Sequence, residues 1–297
     1  HGAADPVVIY NKAKGKWWMF YTNRRANIED AGVKWVHGTR IGIAESTDGK
    51  IWKYLDTANI NYRPDAGYTY WAPDVIEHNG LYHMYLTYVP GTFEDWNHPR
   101  NIVHLTSSDL KNWEYQSVLS LVNEKVIDAS VFKVNDSLWR MWYNNEKDGK
   151  SIYYADSKDL YHWENKGKAI ATRGEGPKVF YWKSKYFMIV DAWKGMEIFS
   201  GTDLLNWTKQ TQRILEEPGK EKDDQAIGGH CDVVVNDDKA YIYYFTHPGR
   251  SKRQPAAPGS FDEKRSVIQI AELRLENGAI VCDRDQPVFI KLKPVVE

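Results

Sequence analysis

The stretch Ser46-Thr47-Asp48-Gly49-Lys50-Ile51-Trp52 is the first of four copies of one pattern, in which an Asp precedes a Trp by four positions. Each copy follows a short apolar or alternating run, which is typical of a strand that enters a turn. The other copies are Ser107-Ser108-Asp109-Leu110-Lys111-Asn112-Trp113, Asp156-Ser157-Lys158-Asp159-Leu160-Tyr161-His162-Trp163 and Ser200-Gly201-Thr202-Asp203-Leu204-Leu205-Asn206-Trp207. Such a repeat indicates an architecture of similar units. We interpret the repeated tryptophans as packing residues, remote from any functional site.

A second pattern recurs five times and begins upstream of these copies. It consists of an acidic start, a β-rich run, a turn and an aromatic strand. The five starts are Asp5, Asp74, Asp128, Glu175 and the stretch His230-Cys231-Asp232. Turn residues such as Asn79-Gly80 separate the paired strands. Five units of about four strands predict an all-β, five-bladed β-propeller that forms a single domain over residues 1–297.

The spacing of the unit starts shows where the chain carries insertions. The first unit is the longest, and its extra residues fall at 27–37 and 57–70. Residues 249–264, rich in Pro, Arg, Lys and Ser, are predicted to form one long loop of the fifth unit. Residues 268–296 are predicted to supply the last strands.

The composition excludes several classes of protein. The chain carries 39 Lys and Arg against 40 Asp and Glu, a net charge of −1, so neither nucleic acid nor an anionic membrane is an expected partner. It has no apolar run long enough to span a bilayer. Cys231 and Cys282 lack a metal-ligand spacing, and we predict two free thiols. The chain starts at His1, and we expect a secreted or periplasmic protein whose leader has been removed.

Because innermost strands line the channel of a propeller, all five unit starts are expected to converge at its mouth, and three of them, Asp5, Asp128 and Glu175, are carboxylic acids. Like charges in one concave site resist joint ionisation, so the pKa of at least one carboxyl should be raised. One carboxyl then acts as an acid and another as a base. Hydrolysis of a glycosidic bond requires this pairing.

The unit starts, with the residues around them, resemble the successive blade motifs of glycoside hydrolase family 43. The matching stretches are Asp5-Pro6, Trp71-Ala72-Pro73-Asp74, Ile127-Asp128-Ala129-Ser130-Val131-Phe132, Glu175-Gly176-Pro177 and Gly229-His230 followed by Val233-Val234-Val235. The resemblance covers nearly the whole chain in the order of the family. Family 117, the α-1,3-(3,6-anhydro)-L-galactosidases, shares this architecture, and Thr246-His247-Pro248-Gly249-Arg250 resembles it.

The resemblance implies a role for each acid. Asp5 would be the general base that activates water, Asp128 would raise the pKa of the acid and orient it, and Glu175 would be the general acid of an inverting hydrolase. His230 matches a family 43 histidine that contacts a hydrated calcium ion in the channel, so Ca²⁺ is an expected cofactor and His230 its contact; no organic cofactor is expected. If the family 117 pattern holds, His230 or His247 replaces Glu175 as the acid.

An oligosaccharide or polysaccharide of plant or algal origin is the expected substrate, and the insertions of the first unit favour exo action. The predicted substrate-binding residues are Trp71, Asp74, Arg25, Arg173, His230 and Arg250. Trp71 is equally well explained by stacking on a sugar or by packing between blades. Arg24, Arg25 and Arg173 are candidates for binding hydroxyls or a carboxylate, although adjacent strand residues such as Arg24 and Arg25 point opposite ways.

Two alternatives come from other classes. A non-catalytic sugar-binding propeller would use the carboxylates only as hydrogen-bond acceptors. A retaining fructan-cleaving or phosphorolytic propeller would give a different product stereochemistry, but the first blade lacks the Asn-Asp-Pro triplet expected of the fructan group.

Overall fold

Alternating and apolar runs form five antiparallel β-sheets in the computed structural model, which describes residues 2–63 and 67–295. Helix within these ranges is limited to the short segment Phe261–Lys264 and three single 3₁₀ turns. No helix there has the length and apolar content needed to cross a membrane. The predicted all-β class and the five-bladed propeller are confirmed.

The strands follow one another blade by blade along the chain. Blade 1 contains β1 (Ala3–Asn11), β2 (Lys16–Asn23), β3 (Arg40–Ser46) and β4 (Lys53–Thr57). Blade 2 contains β5 (Asn59–Asn61), β6 (Thr69–His78), β7 (Leu81–Val89), β8 (Asn101–Ser107) and β9 (Asn112–Val118). Blade 3 contains β10 (Val126–Asn135), β11 (Leu138–Asn145), β12 (Ser151–Ser157) and β13 (Glu164–Ile170). Blade 4 contains β14 (Glu175–Trp182), β15 (Lys185–Asp191), β16 (Met196–Gly201) and β17 (Thr208–Lys209). Blade 5 contains β18 (Gly229–Asn236), β19 (Lys239–Thr246), β20 (Val267–Glu276) and β21 (Ala279–Cys282).

The first long strand of each blade is its innermost strand. These strands touch one another in the closed order β1, β6, β10, β14, β18 and back to β1, which defines the central channel. Apolar side chains fill the space between neighbouring blades. Phe20 of blade 1, for example, meets Trp113 of blade 2 edge to face, with ring centroids 5.7 Å apart and both side chains buried.

Blade 2 departs from the expected four strands. The insertion at 57–70 brings β5 alongside β9 in a parallel pair, where Asn59 Nδ2 donates to Asn112 Oδ1 at 2.9 Å. Residues 64–66 of this insertion lie outside the described ranges. The extra strand covers the outer edge of the blade, which would otherwise present unpaired backbone groups to solvent.

The repeated Asp and Trp residues stabilise the turn between the third and fourth strands of a blade. In all four copies the Asp carboxylate accepts the backbone N–H of the residue three positions later, at 2.8–3.0 Å. In three copies the indole N–H of the Trp donates to the carbonyl three residues before it. All four tryptophans also pack into the hydrophobic clusters and line neither pocket at the channel mouth, so their interpretation as packing residues is confirmed.

The C-terminal residues join blade 5 to blade 1. The strands end at Cys282, short of the predicted 296, because the segment that follows leaves the sheet. Leu292 donates its N–H to the carbonyl of Asp48 at 2.8 Å, and the side chains of Ile290 and Leu292 pack against Trp17. This segment therefore fastens the ring where its two ends meet. Cys282 and the buried Cys231 are free thiols, as predicted.

Candidate active site

The five inner strands share an irregularity at their starting ends, where a β-bulge shifts the pairing with the next strand. The shifts lie at Ala4/Val7, Trp71/Asp74, Ile127/Ser130, Glu175/Lys178 and Gly229/Cys231. In blades 1 to 4 the bulge holds a residue of positive φ: Asp5 (53°), Ala72 (42°), Asp128 (60°) and Gly176 (55°). Left-handed backbone costs an ordinary residue about 1–2 kcal/mol, and bulges re-aim side chains. The bulges therefore turn Asp5 and Asp128 towards the channel mouth.

The bulges also show that the acidic starts are not equivalent. Ala72 occupies in blade 2 the position that Asp5 occupies in blade 1. Asp74 follows two residues later, at the position where blade 4 has Lys178, and it is buried against that lysine. The prediction that all five starts converge on one spot is therefore wrong. Asp74, predicted to bind substrate, is outside the pocket formed by the other acids.

Asp5, Asp128 and Glu175 lie together in one pocket of about 370 Å³ at the mouth of the channel. The predicted substrate-binding residues Trp71, Arg173 and His230 also line it. Three acids that stand far apart along the chain thus share one cavity with an aromatic ring and cationic groups. Sites that bind small ligands commonly combine these features.

Two predicted substrate-binding arginines are placed differently. Arg250 lines an adjoining pocket that shares Arg24 and Glu175 with the first. Arg25 lines neither pocket, because its Nη1 donates to the carbonyl of His37 at 3.0 Å and so holds the loop of blade 1. The expected opposite orientation of Arg24 and Arg25 is found, with Arg24 as the residue of the site.

The loops between the second and third strands of the blades supply residues that the sequence analysis did not name. They are Val36 from blade 1, Trp96 and Arg100 from blade 2, Glu146 and Lys150 from blade 3 and Trp193 from blade 4. Their common origin follows from antiparallel pairing. The second strand ends where the first one starts, so the next loop begins at the channel mouth. This rule, applied to the predicted strands, is the signal that would have identified these loops.

Asp5 is buried beside two nitrogen-bearing groups. Arg24 Nη2 lies 3.6 Å from Asp5 Oδ1, and His230 Nδ1 lies 3.7 Å from the same oxygen. Arg24 is itself held by His247, whose Nε2 is 3.0 Å from Arg24 Nη1. The guanidinium also lies over the ring of Phe245, 4.7 Å from its centroid. Arg24 is thereby fixed next to the Asp5 carboxylate.

His247 has a defined protonation state. Its Nδ1 lies 2.9 Å from the carbonyl of Arg265, so this nitrogen carries the proton and donates it. Nε2 must then accept from Arg24. Burial lowers the pKa of His247 well below its usual value, and the charges of Arg24 and Arg250 lower it further. His247 is a neutral acceptor, which argues against the alternative in which it is the general acid.

Asp128 interacts with both of the other acids in the pocket. Its Oδ2 accepts the N–H of Gly176 at 3.0 Å and lies 3.8 Å from His230 Nδ1. Burial raises the pKa of Asp128 well above its usual value, and the charges of Glu175 and Asp5 add to the effect. The contact with Gly176 joins Asp128 to the backbone directly after Glu175.

Glu175 starts β14 and is paired across the sheet with Asp191. Burial and the Asp191 carboxylate raise the pKa of Glu175 to about 7, although Lys150, Trp193 and His230 act to lower it. Asp191 is anchored by the backbone N–H groups of Trp193 at 2.7 Å and His230 at 2.8 Å. A carboxyl with this pKa can hold and release a proton near neutral pH, which a general acid requires.

Trp71 packs between two loops and also lines the pocket. Its indole N–H donates to the carbonyl of Val36 at 2.7 Å, and only 9% of the residue is exposed. Arg100 lies 5.4 Å from its ring centroid and pairs with Glu146, Nε to Oε2, at 3.1 Å. Trp71 therefore packs between the loops of blades 1 and 2 and also presents part of its surface to the pocket.

The predicted calcium contact is His230, and its surroundings do not fit that ion. Nδ1 faces the carboxylates of Asp5 and Asp128, while the ring covers Gly176, where a Cβ would lie 2.7 Å from His230 Cγ. In the part of the chain that the structure describes, no group of three or more His, Cys, Asp or Glu is arranged to hold a metal. Ca²⁺ requires about 6–8 oxygen ligands.

Comparison with known proteins places this geometry in context. A family model described as "Probable glycosyl hydrolase domain", of the family 43-related type, matches residues 1–223. No curated protein matches the chain.

Three solved structures illustrate the shared fold. A thermostable family-43 glycoside hydrolase has a TM-score of 0.71 at 18% identity, over 100% of this chain and 97% of its own. A GH43 β-1,3-galactosidase with galactodeoxynojirimycin has a TM-score of 0.69 at 14% identity, over 95% and 94%. An exo-1,5-α-L-arabinanase from a bovine ruminal metagenomic library has a TM-score of 0.66 at 18% identity, over 95% and 97%. Identities this low show the fold alone.

Proposed function

The chain belongs to this family of glycosyl hydrolases related to family 43, and we propose that it is an inverting, exo-acting glycoside hydrolase that releases a terminal sugar from plant or algal polysaccharide fragments. One observation carries the proposal. Glu175, with a pKa of about 7, shares a single pocket with Asp5, which lies beside Arg24. The pocket thus contains a carboxyl that can donate a proton and a second carboxylate to accept one.

In the proposed reaction Asp5 takes a proton from a water molecule as that water attacks the anomeric carbon. Glu175 donates its proton to the leaving oxygen as the glycosidic bond breaks, so one proton enters the protein and one leaves it. Inverting enzymes hold their two carboxyls about 6.5–9.5 Å apart to accommodate this water. Burial and the Asp191 carboxylate are what raise the pKa of Glu175, so Asp128 is proposed to act by holding the backbone at Gly176, directly after Glu175, in place.

Exo action is supported by a wall on one side of the pocket. His37 from the loop of blade 1 packs against Trp71, with ring centroids 5.1 Å apart, and against Trp96, with centroids 6.0 Å apart. Trp71 and Trp96 in turn lie 6.0 Å apart. Such a cluster gives this side of the pocket a packed aromatic wall, and the proposal is that this wall blocks a continuing chain, which suits release of a terminal residue.

A first experiment tests catalysis itself. Aryl glycosides of arabinofuranose, xylose, galactose and fucose are incubated with the protein, and the anomeric configuration of the released sugar is followed by NMR. We expect release of one of these sugars with inverted configuration. Retention of configuration, or binding of a sugar without its release, would contradict the proposal.

The role of Glu175 is tested with Glu175→Gln. On a substrate with a poor leaving group, we expect kcat to fall by about 10²–10⁴-fold, since proton donation is lost. On an activated aryl glycoside the loss should be much smaller, because such a leaving group needs little protonation. An equal loss on both substrates would assign Glu175 a different role, and His230→Gln then tests the remaining alternative acid.

A further inference from the structure

A lysine and two aspartates lie inside the ring of inner strands. Lys178 Nζ, on β14, is 2.8 Å from Asp232 Oδ1 on β18 and 3.2 Å from Asp74 Oδ1 on β6. The remaining carboxylate oxygens accept backbone N–H groups from the other two inner strands. Asp232 Oδ2 accepts from Val8 on β1, and Asp74 Oδ2 accepts from Val131 on β10, both at 2.7 Å. One cluster therefore connects all five blades at the axis.

The charges of this cluster require a cation. Asp74 and Asp232 are 3% and 2% exposed, and two carboxylates buried without a counter-charge would be strongly unfavourable. The Lys178 ammonium supplies that charge. Burial opposes it, but the Asp232 and Asp74 carboxylates more than offset the opposition and raise the pKa of Lys178 above its usual value. Lys178 is therefore charged at physiological pH.

We propose that the Lys178 ammonium is the permanent cation of the channel and takes the place of a metal ion, so that the protein folds and acts without Ca²⁺. All four carboxylate oxygens of the cluster already accept an N–H from the protein. A divalent ion at this position would have to displace the ammonium and would find two carboxylates, far from the oxygen shell that Ca²⁺ prefers.

The cluster also positions the site. Lys178 is two residues from Gly176, which donates to Asp128, and Asp232 is two residues from His230, which faces Asp5. The same strands that the ammonium ties together therefore carry the pocket acids to the channel mouth. Lys178 is a positioning residue, because it acts on the pocket through the strand ends and lies outside the pocket lining.

The first test uses the unaltered protein and does not depend on its activity. Thermal unfolding is measured after treatment with EDTA and again with millimolar CaCl₂, and the purified protein is analysed for bound metal. We expect the same Tm in both conditions and less than stoichiometric metal. A Tm that falls in EDTA and recovers with Ca²⁺ would overturn the proposal. Since these readouts need no substrate, an error in the proposed hydrolase function would not affect them.

The second test removes the ammonium. Lys178→Met keeps the length of the side chain, and we expect Tm to fall by about 10 °C because two buried carboxylates lose their partner. The double variant Lys178→Met/Asp74→Asn should recover part of that loss, because one of the uncompensated charges is gone. The matched control is Lys111→Met, which removes the exposed ion pair between Lys111 and Asp56, 2.8 Å apart. Because exposed ion pairs contribute little to stability, this variant should shift Tm by about 1–2 °C at most.

Lys178→Ala adds a complementary measurement. This variant leaves a space between the carboxylates, and we expect its Tm to rise with added methylammonium, whereas the Tm of the unaltered protein does not respond. A Lys178→Met protein as stable as the unaltered one would show that the ammonium is not the cation on which the channel depends. If Lys178→Met fails to fold, the EDTA and metal measurements on the unaltered protein still decide the question.

Discussion

Two groups of carboxylates lie on different inner strands of the ring, Asp74 and Asp232 on β6 and β18 and Asp128 and Glu175 on β10 and β14, and their charges are compensated differently. On the axis, Asp74 and Asp232 share the ammonium of Lys178 and accept backbone N–H groups with their other oxygens. At the channel mouth, burial and then the charges of neighbouring acids raise the pKa values of Asp128 and Glu175; burial raises the pKa of Asp74 too, but there Lys178 opposes the shift.

The difference separates carboxylates that hold the fold from carboxylates suited to chemistry. A buried acid whose oxygens all have donors, and whose charge is matched by a lysine, stabilises its surroundings. A buried acid beside other acids, such as Glu175 with its pKa of about 7, can exchange a proton near neutral pH, and the rest of the fold keeps that less stable group in place. Acids at functional sites are often optimised at the expense of stability in this way.

The largest expected difference between the two groups is in stability, and it is measured by replacing one acid in each. For Asp232→Asn we expect a loss of about 3 kcal/mol in the free energy of unfolding, since the amide NH₂ meets the donors Lys178 and Val8 and a paired charge is removed. For Asp128→Asn we expect unchanged or greater stability, because the amide oxygen can still accept from Gly176 while the crowding is relieved.

The same pair of variants should separate activity from stability. Asp128→Asn should lower kcat by about 10²-fold, within the range for loss of an acid-base contribution, without unfolding the protein. Urea denaturation and steady-state kinetics on both variants provide the measurement. Equal destabilisation by the two substitutions would remove the distinction between the clusters.

The pH dependence of activity tests whether the proton of Glu175 is required for catalysis. Because the pKa of Glu175 is raised to about 7, the fraction that carries a proton falls as pH rises through 7. We expect kcat to decrease about tenfold per unit above that pH, and the decrease should be absent in Glu175→Gln on an activated substrate. A rate that stays constant from pH 6 to 9 would contradict the assignment.

Stability should change with pH in the same direction. The pKa of Glu175 is higher in the folded protein than its usual value of 4.5, so its protonation favours folding at low pH. This contribution is fully present below about pH 4.5 and is lost as pH rises through 7. Glu175→Gln should therefore be relatively more stable at pH 8 than at pH 4, compared with the unaltered protein, in thermal unfolding at both pH values.

The smallest expected effects concern two arginines near the pocket. Arg173 lies over Trp193, 5.2 Å from its ring centroid, at the exposed rim. Arg173→Ala should raise KM by a few-fold and leave kcat unchanged, since a rim cation contributes to substrate binding more than to the transition state. Arg25→Ala should leave KM unchanged and lower Tm slightly, since it removes the hydrogen bond to His37. A raised KM with an unchanged Tm for Arg25→Ala would instead indicate that Arg25 binds substrate.

Much of the site was predictable from the order of residues along the chain. The misplacement of Asp74 in that prediction comes from the β-bulges. The acids Asp5, Asp128 and Glu175 were found because each starts an inner strand. Asp74 was misplaced because a bulge in each inner strand shifts the pairing, and Ala72 stands where the acid was expected. A repeat search aligns residue types, and a bulge changes which way a side chain points without changing its type.

The loop residues were missed for a related reason. Arg100, Glu146, Lys150 and Trp193 belong to no repeat, since each loop between second and third strands differs in length and composition. Only their common position at one end of the sheets unites them. That position follows from strand order, but the side chains that reach the pocket depend on loop conformation.

The number and order of the blades, the turns between strands and the identity of the three pocket acids were all readable from the amino-acid order. Strand alternation and the bonds of Asp48 or Asp109 to their own turns act over a few residues, so they leave a pattern in the chain. The folded structure determines which acids are paired with a cation and which can exchange protons. Arg24 meets His247 across 223 positions and Val8 meets Asp232 across 224, and burial and charge act through space between such distant partners.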